Sequence, residues 1–238
     1  MRSLFLSAAL SLVSICVSAQ SQQEWRDSIS ALSAMIERHP TDVGLRLRKA
    51  AYNIELGQWR YALDEYSNVL DMEPTNLTAL YYRGFVNQHL GRYAFARQDY
   101  EAVLKLEPLD RHALMGLIYA NMADKRMTQA FDDANRLVQQ APDDAEVYAV
   151  RAEVEKQLGM SAAALEDIEK AVAIEDVRVR QKYPTSVDDN ITSYQLTAFE
   201  LYMQQGNRRK AAKCLDYLVE NGLPRVHLDE YYKLLKEK

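Results

Sequence analysis

Proline stands at positions 40, 74, 108 and 142, each 34 residues after the last. Small residues keep the same step at Ser28, Ala62, Ala96, Ala130 and Ala164. An interval of this length, held so long, restricts the chain to repeated supersecondary units that bury their apolar faces on one another. Each unit reads as a pair of antiparallel helices. Gly57, Gly91 and Gly159 close the first helix of three units, where the left-handed backbone of a C-cap suits glycine. Lys125 replaces that glycine in the third unit, at a cost of about 1 kcal/mol. Asp42, Asn76, Asp110 and Asp144 precede the units, placed to accept hydrogen bonds from the free amides of the next helix. The prolines follow the second helices, where a missing amide does no harm.

The stretch Leu77 to Pro108 is the clearest copy. Its Leu80, Gly84, Gly91, Tyr93, Ala96, Tyr100, Val103 and Pro108 resemble the signature of a tetratricopeptide repeat (TPR). The resemblance implies an all-α fold, a right-handed α-α superhelix (TPR solenoid) with N- and C-terminal capping helices and a concave groove lined by the first helices. Four units are expected at 43–74, 77–108, 111–142 and 145–176, preceded by a half-repeat or capping helix at 20–40. The step then lengthens, so an insertion is expected at 177–190, with the preceding helix prolonged to Lys182. A fifth unit at 191–224 and a C-terminal capping helix within 225–238 complete the array.

The first residues follow another rule. Arg2 is the only charge before Glu24, and Leu4 to Val17 is apolar. This run is shorter than the roughly 20 residues that cross a bilayer. Val17-Ser18-Ala19 resembles a small-residue cleavage site. Residues 1–19 therefore read as a signal peptide, and the chain as exported, periplasmic or secreted, with no membrane span after cleavage. Ile15 before Cys16 does not suit a lipid anchor. Cleavage would leave Cys214 alone and exclude an internal disulfide.

Function narrows by exclusion. A formal net charge of −5 lacks the basic footprint that nucleic acids require. The four histidines form no close-spaced set suited to zinc. No phosphate-cradling loop and no nucleophile in a catalytic setting is found, so neither a cofactor nor an enzyme activity is expected. Arg208-Arg209-Lys210 with Lys213 is a basic cluster in an acidic chain, readable as a solvated helix start or as a meeting point for an acidic partner.

The expectation is a scaffold for a protein or peptide partner. By the resemblance, the groove would present Leu47, Ile54, Tyr81, Phe85, Gln88, Met115, Tyr119, Met122, Glu153 and Lys156. The N-terminal half of the groove is thus apolar and aromatic, and the C-terminal half polar and acidic. Aromatic and methionine side chains supply adaptable contact area, yet at helical spacing Tyr81, Phe85 and Tyr119 are equally readable as packing between helices. Leu47 and Ala51 occupy places where the family's carboxylate clamp needs lysine and asparagine, so that mode is not expected. Two other roles stay open: assembly or homo-oligomerisation within a cell-envelope complex, and a non-catalytic subunit of a polysaccharide-handling or enzyme complex.

Overall fold

A computed structural model describes residues 22–182 and 188–237. The leader-like segment 1–19 and residues 183–187 of the insertion lie outside the described residues. The described elements are helices, with no strand among them. The chain divides into two compact units between Ala120 and Asn121. Unit one holds α1 (residues 22–38), α2 (Val43–Glu55), α3 (Trp59–Met72), α4 (Leu77–His89), α5 (Tyr93–Leu106) and most of α6 (Arg111–Ala123). Unit two holds the end of α6, then α7 (Met127–Gln140), α8 (Ala145–Gln157), α9 (Ser161–Lys182), α10 (Asp189–Gln204), α11 (Arg208–Glu220) and α12 (Asp229–Leu234).

Helix starts follow from side chains that accept backbone amides. Leu45 N–H donates to Asp42 at 3.1 Å, Ala79 N–H to Asn76 at 3.0 Å and Ala113 N–H to Asp110 at 2.7 Å. Asp144 accepts from Glu146 N–H at 2.9 Å and Asp188 from Ile191 N–H at 3.0 Å. Each bond satisfies an amide that the helix itself leaves free. At the other ends, Lys125 takes φ 61° where equivalent positions carry glycine. A side chain there is held against its preference.

Unit one packs around Ala50, Ala62, Tyr66, Val69, Ala79, Val86, Ala96 and Tyr100. Ala62 and Ala96 are wholly buried, which lets α3 and α5 approach their partner helices closely. Tyr100 is the bulky counterpart. Its ring lies against two glycines, such that a Cβ added to Gly84 would meet it at 3.0 Å and one added to Gly116 at 2.5 Å. Leu32 and Ile36 of α1 close on Leu45 of α2.

Unit two buries Ala152, Ala164, Ile168, Phe199, Leu201, Ala211, Leu215 and Leu218 between α8 and α11. Its end differs from the single capping helix expected. After Pro224 the chain makes a 3-10 turn (Arg225–Leu228), closed by His227 N–H donating to the Pro224 carbonyl at 3.0 Å. This tighter winding carries Leu228 into the core and starts the short α12 from there.

Candidate functional site

In unit one the first helices of the repeats, α2, α4 and α6, carry the expected groove residues. Leu47 and Ile54 of α2 and Tyr81 and Phe85 of α4 are partly buried and pack on the same apolar cluster. Around them runs a chain of rings. Trp59, the first residue of α3, stacks on His89 with centroids 4.2 Å apart and meets Phe85 edge-on at 6.1 Å. Phe85 also meets His89 edge-on at 4.4 Å. Tyr81 contacts Tyr82, Tyr100 and His112 at 5.1, 5.8 and 6.4 Å. Such offset and edge contacts fix ring orientation. Burial, then the nearby Tyr82 and Asp110, raise the Tyr81 hydroxyl pKa above its ordinary value. A depression of about 440 Å³ opens beside Tyr81, bounded by Thr78, Val103, Glu107 and His112.

The other expected residues divide. Gln88 is half-buried and accepts from the Tyr100 hydroxyl at 3.4 Å. Met115 is half-buried, Tyr119 is 39% exposed, and Met122, at 5%, is inside. Met122 therefore serves packing and offers no free contact surface. In unit two Glu153 and Lys156 of α8 form an ion pair at 3.3 Å, and Lys156 reaches Glu200 of α10 at 3.7 Å.

A repeated polar contact also joins the two helices of a hairpin. Lys49 pairs with Glu65 at 2.8 Å, Arg83 with Asp99 at 2.6 Å and Arg151 with Asp167 at 2.6 Å. One turn along, an amide reinforces the acid: Asn87 donates to Asp99 at 3.2 Å and Asn121 to Asp133 at 3.2 Å. In α8 the residue at that place is Glu155, which sets a second carboxyl group near Asp167. Glu155 is only 4% exposed, and its Oε2 has no hydrogen-bond partner. Burial first, then the Asp167 charge, push its pKa up to about 7. Arg46 and Lys49 look like departures from an apolar pattern, yet both bind Glu65. The signal that finds them is the acid recurring at 65, 99, 133 and 167.

Among the described residues no group of histidine, cysteine, aspartate and glutamate could hold a metal ion. No described helix is long and apolar enough to cross a membrane. Cys214 is buried, and burial pushes its thiol pKa up to about 11.

Comparison with known proteins agrees with this architecture. The tetratricopeptide repeat family model matches residues 88–145. A tetratricopeptide repeat protein from Parabacteroides merdae superposes with a TM-score of 0.62 at 21% identity, over 92% of this chain and 80% of that one. MamA from Desulfovibrio magneticus gives 0.61 at 20% identity, over 75% and 94%. YrrB, described as a TPR protein with an unusual peptide-binding site, gives 0.56 at 19% identity, over 85% and 98%. No curated protein matches the chain. Residues 88–145 thus match the tetratricopeptide repeat model, and the described chain shares the all-α fold of helical hairpins with these solved structures.

Proposed function

We propose that the chain is an exported, non-catalytic adaptor whose first-helix face in unit one holds a segment of another protein. The observation that carries this reading is the oriented ring set of Tyr81, Phe85 and His89, half-open on the face that also exposes Tyr119. Preordered rings offer contact area at little entropic cost, and the depression beside Tyr81 adds room for a segment along them. The description of YrrB as having a peptide-binding site supports the same use of the fold. The apolar stretch before Gln20 supports export, and a secreted product beginning at Gln20 is the expected result of N-terminal sequencing.

The test is partner capture from an envelope extract by the wild type and by Tyr81→Ala combined with Phe85→Ala. Recovery of the partner should fall by ~10-fold or more while far-UV circular dichroism is retained. Equal recovery by both proteins refutes the reading.

A further inference from the structure

Unit two contains a second site, on the other side of its hairpins, that does not rest on the first-helix face. A pocket of about 330 Å³ opens between α9, α10 and α11. Its place in the repeat is the same as that of a pocket in unit one lined by Arg83, Asn87, Gln98 and Asp99. In the unit-one copy the Arg83–Asp99 ion pair and the Asn87 amide fill the wall with mutually satisfied polar groups. In the fifth repeat Ala198, Tyr202 and Cys214 stand at those three positions. The ion pair is gone, and small or aromatic groups make this wall apolar.

Two polar features distinguish this copy from the one in unit one. Gln195 stands where the second repeat has the buried Leu80. It is 7% exposed and lines the pocket. Its amide brings a hydrogen-bonding group to a pocket wall where the second repeat carries an apolar side chain. At the mouth, Lys210 and Lys213 replace Phe95 and Gln98. Lys210 lies over the Tyr202 ring at 5.0 Å and 3.9 Å from Glu169, which also accepts the Tyr202 hydroxyl. Lys213 and the neighbouring Arg209 are exposed and have no carboxylate partner among the described residues.

We infer that this pocket binds an acidic peptide segment through one apolar side chain. The side chain enters against Ala198, Cys214 and Tyr202, a backbone peptide group of the segment meets the Gln195 amide, and flanking carboxylates meet Lys213 and Arg209. The basic start of α11 thereby acquires a role that its sequence alone leaves open.

The test is fluorescence anisotropy of the full chain with a labelled hexapeptide of the order Glu-Asp-Leu-Phe-Asp-Glu. A second hexapeptide carries alanine in place of leucine and phenylalanine. Saturable binding of the first and ~10-fold weaker binding of the second are expected. Lys213→Glu, at an exposed position, should weaken binding by ~10-fold, and Gln195→Leu by ~5-fold with the helical signal retained. The inference is overturned if the first peptide does not saturate, if the alanine peptide binds as well, or if either variant binds like the wild type. Sedimentation with phosphatidylserine vesicles in the absence of peptide binding assigns the cluster to a lipid surface and overturns it equally.

Discussion

Glu155 gives the sharpest handle on the energetics of the hairpins. Where Asn87 and Asn121 each donate an amide hydrogen to the acid across the hairpin, Glu155 brings a carboxyl group into the neighbourhood of Asp167. Its pKa is pushed from an ordinary 4.5 to about 7, by burial first and by the Asp167 charge second, with Arg151 opposing. The folded value lies above the unfolded one. The associated stability is therefore fully present below 4.5 and is lost as pH rises through about 7. A shift of that size corresponds to at most about 3 kcal/mol. Solvent screening around the neighbouring charged groups reduces this to about 1–2 kcal/mol. Glu155→Gln keeps the side-chain size, cannot ionise, and supplies the amide that the other repeats use. Chemical denaturation followed by far-UV circular dichroism should find the variant more stable by about 1–2 kcal/mol at about pH 8. The gap should shrink or reverse toward about pH 4.5. A difference that stays constant across this range would show that Glu155 is not held in its neutral form by the fold.

Lys125→Gly removes a side chain from φ 61° and should raise stability by about 1 kcal/mol, seen as a higher denaturation midpoint. Gly116→Ala should destabilise by about 1–3 kcal/mol in the same assay, despite the better helix propensity of alanine, because the new Cβ meets the buried Tyr100 ring at 2.5 Å. Arg83→Leu leaves the almost fully buried Asp99 with only the Asn87 amide and should cost about 2–4 kcal/mol.

The helical hairpins were legible because their signals are local. A capping acid, a turn residue and a small residue at the helix crossing each act within a few residues, and Asp42, Asn76, Asp110 and Asp144 all make the bonds their positions implied. What escaped the sequence depends on contacts across the hairpin. The role of Lys49 and Arg83 shows only in the fold, where their acids, sixteen residues on, stand beside them. Gly116 has no turn to make, and only the approach of Tyr100 explains it. Gln195 is unremarked in the sequence because its meaning lies in the apolar pocket that Ala198 and Cys214 leave around it. The groove residues were half legible. Spacing put Tyr81, Phe85 and Met122 on first helices alike, but spacing does not tell a ring at the surface from a methionine 5% exposed.

The central claim, capture of a partner segment by the first-helix face of unit one, is tested most directly by photocrosslinking. A benzophenone amino acid placed at the exposed Tyr119 is compared with one at Lys105, an exposed position on the second helix α5. Partner adducts at position 119 and none at 105 are predicted. Adducts at 105 alone, or equal yields at both, contradict the account.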